Sequence, residues 1–187
     1  MRREIPSDGL MYHASRLLLL IHWCGKPQNK TTAVLPGIEG RTLLAKLDFF
    51  LRYPYYLRQA SKIMQLNVSN DVLGLENEIE EKSVETRMIR YLYGPWDNIY
   101  YPVLAYLIGK SLIEIGKKSG KGTEIFRLTP EGEEIAKAIS QDIAYADLTK
   151  RARTIYRIFN KYSGNSLKEF IYNNFPEVVN KKIGVKI

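Results

Sequence analysis

The residues of this chain that do acid–base, nucleophilic or metal chemistry are few and badly spaced for it. His13 and His22 stand nine positions apart, not at the one-turn spacing by which a helix offers two imidazoles to one metal. Cys24 is the single cysteine, so no internal disulfide or cysteine zinc site can form, which suits a reducing cytoplasm. There is no glycine-rich phosphate loop, no Ser-His-Asp set, no base placed beside Cys24 and no group of carboxylates spaced to hold a metal. Scattered carboxylates without such a constellation are read as surface charge. The expectation is a non-enzyme with no metal, no cofactor and no small-molecule substrate.

What remains is the chemistry of recognition. Lys and Arg number 28 against 20 acids, a net charge of +8 that attracts polyanions weakly and without sequence preference. Its distribution is uneven. Between Asp71 and Glu85, six acids (Asp71, Glu76, Glu78, Glu80, Glu81, Glu85) face one base, Lys82, whereas Lys117 to Ile187 holds 14 bases and 8 acids. Candidate phosphate contacts are Lys117, Lys118 and Lys121 in the loop "GKKSGKG", and the stripe Lys150, Arg153, Arg157, Lys161. Each also fits a solvated surface. Candidate protein contacts are Tyr100, Tyr101 and Tyr106, because tyrosine is enriched at interfaces, together with the apolar run that includes Leu17, Leu18 and Trp23.

The elements that position these groups are legible in part. Leu10 to Trp23 reads as a helix apolar on more than one face, hence buried on all sides. Its aliphatic run, Leu17 to Ile21, is five residues where a membrane span needs about 20, so no membrane segment is expected. Gly25 to Gly40, with Pro27 and Pro36, reads as a loop. Leu43, Leu44, Leu47, Phe50 and Leu51 make the core-facing stripe of a second helix that ends before Pro54, and Pro54 opens a shorter one. The acidic stretch fits a loop or a solvated helix face equally, and "TRMIRYLYGPWD" fits neither the helical nor the strand period. Tyr101 to Lys110 reads as a helix, "SLIEI" and "TEIFRL" as two strands, and Thr129-Pro130 as the capped start of another helix. A cationic amphipathic helix through Leu148 and Phe159 follows, then a last short helix opened by a Ser166–Glu169 capping box. The predicted fold is mainly α with a small β-hairpin: a winged helix-turn-helix core with N- and C-terminal helical extensions. Residues 1–39 supply the N-terminal helix and loop, 40–140 the core and 141–187 the C-terminal extension of one compact unit.

The helix before the hairpin occupies the place of a DNA-reading helix, yet "YYPVLAYLIGK" offers almost no Arg, Lys, Asn or Gln to meet base edges. Contact with polypeptide is the reading that follows. The segments "GRTLLAKLDFFLRYPYYL", "RYLYGPWDNIYYPVLAYLIGKSLIEI", "FRLTPEGEEIA" and "SLKEFIYNNFPEV" resemble, in that order, the middle component of ABC three-component and Lamassu-type anti-phage defence systems. The more particular pieces are Arg52, Tyr53 and Pro54, and Gly94, Pro95, Trp96 and Asp97. The resemblance implies a small winged-helix adaptor that joins an SMC-like coiled-coil ATPase to an effector nuclease; non-specific DNA contact through the basic loop and stripe is a further option, and the expected location is the cytoplasm. No catalytic residue comes with it. The alternative is a winged-helix DNA-binding transcriptional regulator, whose weak point is that same helix.

Overall fold

The computed structural model describes residues 9–26, 35–73, 87–117 and 123–187. Helix α1 (Leu10–Cys24) runs through the middle of the molecule, and every residue from Tyr12 to Ile21 is buried. Strand β1 (Gly37–Glu39) lies inside the stretch read as a loop; its three residues are too short to leave a period in the sequence, and partners elsewhere in the chain define it. Helices α2 (Arg41–Arg52) and α3 (Pro54–Ile63) follow, with Pro54 at the first position of α3, where a missing N–H leaves no bond unmade. The single turn α4 (Asn70–Leu73) takes in Asp71; residues 74–86, most of the acidic stretch, lie outside the described residues.

The segment of unsettled period forms a hairpin. Strands β2 (Ile89–Tyr91) and β3 (Gly94–Trp96) pair Ile89 with Trp96 and Tyr91 with Gly94 around a turn at Leu92 and Tyr93. The last residues of the chain run along the other edge of β2, where the Arg90 amide donates to the Val185 carbonyl at 2.8 Å and the Ile187 amide to the Met88 carbonyl at 2.8 Å. Helix α5 (Tyr100–Gly109) leads into β4 (Ile113–Lys117) and β5 (Glu124–Leu128), and the antiparallel sheet has the order β1-β5-β4. Ile38 and Ile115 both stand opposite Phe126, whose side chain is buried.

Thr129 caps α6 (Pro130–Gln141): its hydroxyl accepts from the Gly132 amide at 3.0 Å and donates to the Ser111 carbonyl at 2.6 Å, fastening the helix start to the end of α5. Helix α7 (Ala146–Phe159) buries Leu148, Ala152, Ile155 and Phe159 as its period predicts. Helix α8 (Gly164–Asn174) begins earlier than expected. Its cap is Ser163, which exchanges hydrogen bonds with Ser166, so Ser166 is the third helical residue and not the cap. The turn α9 (Pro176–Val179) closes the chain onto α8. Phe50 binds α2 to these elements, its ring 4.5 Å from Phe159, 6.4 Å from Phe170 and 6.1 Å from Phe175. The result is a mainly helical molecule with a three-stranded sheet and a two-stranded hairpin.

Candidate interaction surface

Helix α2 shows how α5 is aimed. Its apolar stripe is buried as expected, but so are Lys46, Asp48 and Arg52 on the other side, because α1, β3 and α5 cover that face. A buried carboxylate must be paired. Asp48 accepts from Arg16 Nε at 2.7 Å and Nη2 at 3.1 Å, and from the Tyr100 hydroxyl at 2.7 Å. Arg52 Nη1 stands 3.6 Å from Asp48 and donates to Asp97 Oδ2 at 2.8 Å, while Asp97 Oδ1 accepts from the Ile99 amide at 3.0 Å. Two guanidinium groups and two carboxylates therefore balance, and they tie α1, α2 and the first turn of α5 into one unit. Burial alone would raise the Asp48 pKa; Arg16 and Arg52 outweigh it and hold the carboxyl below its usual value. Burial, and then Asp48, push the Tyr100 hydroxyl well above its usual value, so it remains a proton donor.

His13 belongs to the same network. Its Nδ1 lies 2.7 Å from Arg16 Nη1, a group that only donates, so the imidazole is the neutral acceptor. Burial, then the charges of Arg16 and Arg52, push its pKa down to about 4 from 6.5. The unfolded chain binds the proton first, so this side chain contributes nothing unfavourable above pH 6.5 and subtracts stability as pH falls from there toward 4. At pH 5 the expected loss is about 2 kcal/mol relative to pH 7. His13→Gln keeps an acceptor for Arg16 and removes the titration. Urea unfolding of both proteins at pH 5 and 7 should show the acid-induced drop shrinking by about that amount in the variant.

With Tyr100 turned inward, α5 presents Tyr101, Pro102, Ala105, Ile108 and Gly109 to solvent, while Val103, Leu104 and Leu107 pack beneath. Tyr101 is 55% exposed and Ile108 39%. The Tyr106 hydroxyl reaches Met11 Sδ at 3.0 Å, so exposed Met11 and Leu10 of α1 extend the same apolar face. At the other end, Trp96 meets Tyr101 edge to face at 6.0 Å and links the helix to exposed Tyr91 and Tyr93.

The predicted contact residues divide. Leu17, Leu18 and Tyr100 are no surface at all: α1 is wrapped by its neighbours, and Tyr100 is drawn in by Asp48. Trp23 is half-buried beneath the Arg153 guanidinium, 4.4 Å above its ring. Tyr101 and, partly, Tyr106 face outward. Of the basic stripe, Lys150 pairs with Asp71 at 2.9 Å and Arg153 covers Trp23, while Arg157 and Lys161 are exposed. Lys117 ends β4 in solvent; Lys118 and Lys121 lie outside the described residues. The segments around Arg52 and Asp97 meet, with Arg52 bonded to Asp97, and Tyr53 lies between the Met88 amide, which donates to its hydroxyl at 2.7 Å, and the Ile187 carbonyl, which accepts at 3.3 Å.

No family model, curated protein or solved structure matches this chain. Among the described residues no group of three or more His, Cys, Asp or Glu is placed to hold a metal ion, and no helix is long and apolar enough to cross a membrane. A cleft of about 400 Å³ lies between the starts of β1 and α2 and the corner joining α7 to α8, lined among others by Lys26, Thr42, Ser163 and Asn165.

Proposed function

We propose that this chain is a non-catalytic winged-helix adaptor that docks protein partners through α5, in an assembly of the kind its motifs resemble: an SMC-like ATPase, an effector nuclease and this subunit in anti-phage defence. The order α1, β1, α2, α5, β4, β5, with β1 against β5 and β5 against β4, supports reading the chain as a winged helix with α3, α4 and the β2–β3 hairpin inserted between its second and third helices. The observation that carries the reading is the outward face of α5. Base readout in a groove needs donors and acceptors at the tips of Arg, Lys, Asn or Gln, and here the exposed positions are Tyr101, Pro102, Ala105, Ile108 and Gly109. An exposed aliphatic and tyrosine face on a tightly anchored helix suits burial against another protein.

The test is co-purification of the chain expressed together with the products of its neighbouring genes, an SMC-like ATPase and a nuclease being the expected partners. Ala105→Glu with Ile108→Glu places two charges where both side chains are already exposed, so the fold is expected to hold while the complex weakens at least thirtyfold, about 2 kcal/mol. A complex indifferent to these changes, together with a footprint confined to one promoter, would favour the transcriptional regulator instead.

A further inference from the structure

The β2–β3 hairpin and the start of α5 enclose a second cleft of about 210 Å³, lined by Arg41, Thr42, Tyr91, Tyr93, Gly94, Pro95, Trp96 and Tyr101. Four of these are aromatic and none is acidic. Trp96 is nearly buried and forms the floor, with Tyr91 at 5.9 Å and Tyr101 at 6.0 Å from its ring, whereas Tyr91, Tyr93 and Tyr101 are 40%, 56% and 55% exposed. Arg41 carries its guanidinium 5.7 Å above the Tyr101 ring. Its partner Glu124, 3.1 Å away, is itself part-exposed, and such a surface pair is readily exchanged for another anion.

More positive charge lies behind the cleft. Lys46 is 2% exposed and donates to the Thr42 carbonyl at 3.2 Å; burial, then Lys168, push its pKa down to about 8. A methyl group built on Gly94 would sit 3.8 Å from its Cε, which places the lysine directly under the hairpin. Aromatic faces backed by cations are the combination that holds single-stranded nucleic acid, by stacking bases and drawing in phosphates.

An extended peptide fits less well. Pro95 at the middle of β3 has no N–H to give to an added strand, and the free side of β2 is already taken by Val185 to Ile187.

We propose that this cleft binds single-stranded nucleic acid, with a base stacked among Tyr91, Tyr93 and Tyr101 and an adjoining phosphate on Arg41. The cleft shares Tyr101 with the docking face of α5, but Arg41, Tyr91 and Tyr93 lie outside that helix, so substitutions there test the cleft and leave the docking reading intact.

Fluorescence anisotropy tests it with the full chain and a labelled oligothymidylate of about 12 nucleotides, within the roughly 4–16 that such grooves engage. The expected results are at least tenfold tighter binding than to duplex of the same length, similar binding of oligouridylate, and at least a tenfold loss in Tyr91→Ala/Tyr93→Ala. Arg41→Ala should flatten the salt dependence by about 0.7 in log–log slope, one phosphate of a single strand. Both tyrosines are exposed, so circular dichroism and thermal midpoint should show the variants folded. Equal affinity for duplex, indifference to the tyrosine substitutions in folded protein, or tyrosine-dependent binding of an acidic peptide in place of the oligonucleotide would each overturn it.

Discussion

Replacing Asp48 with asparagine is expected to lower the unfolding free energy by about 3–5 kcal/mol, the cost of breaking a buried ion pair from one side. The carboxylate is wholly buried and accepts from Arg16 twice and from Tyr100 once, with Arg52 3.6 Å away. Asparagine keeps one acceptor oxygen and turns an NH₂ toward donors. Of two buried guanidinium groups, on Arg16 at 0% and Arg52 at 1% exposure, only Arg52 would then keep a carboxylate partner, Asp97. Domains of this size have about 5–15 kcal/mol in hand, so the variant should be measurably less stable at 25 °C and short-lived in warm cells. Urea unfolding at pH 7 measures the loss. The mechanism is separable from simple loss of packing by a second variant: Arg16→Met with Asp48→Leu removes both charges and should recover part of the deficit, a coupling that a double-mutant cycle reads directly.

This network also marks where the sequence stops being informative. Leu43, Leu44, Leu47, Phe50 and Leu51 announce one face of α2, and that face is buried. Nothing in the local pattern says that Lys46, Asp48 and Arg52 are buried too, because a charged side chain between apolar ones looks the same in solvent as opposite a buried partner 32 residues away. Tyr100 was misplaced for the same reason: a tyrosine at the start of an apolar helix suits an interface and a core equally, and the decision rests with Asp48. The hairpin β4–β5 and the Thr129 cap were legible because alternation and capping act over a few residues. β1 and the β2–β3 hairpin, three residues per strand, take their definition from long-range pairing. The motifs "RYP" and "YGPWD" stood out in sequence, and their meeting through Arg52 and Asp97 gives a physical reason for these residue types at these positions.

Gly132→Ala carries the second large effect. Gly132 is in the first turn of α6, where alanine ordinarily helps a helix by about 1 kcal/mol. Here the sign reverses. A Cβ at this position would lie 1.8 Å from the Leu112 carbonyl oxygen and 2.8 Å from its carbon, so α6 has to move off the backbone that enters β4. Backbone cannot rotate aside as a side chain can, and that same carbonyl accepts from the Thr129 amide at 3.1 Å, while the Thr129 hydroxyl holds both Gly132 N and the Ser111 carbonyl. Moving the helix therefore strains the cap as well as the contact, and the expected loss is about 3 kcal/mol, the upper end of what overpacking costs. The disturbance is directional: Leu112 follows the last turn of α5, so the variant should alter the docking face before it unfolds. Hydrogen exchange at Leu107 to Ser111 should accelerate more than exchange in α8, which packs against α2 on the far side of the core. Uniform acceleration in both helices would mean that the clash is relieved by global loosening rather than by displacement of α5 and α6.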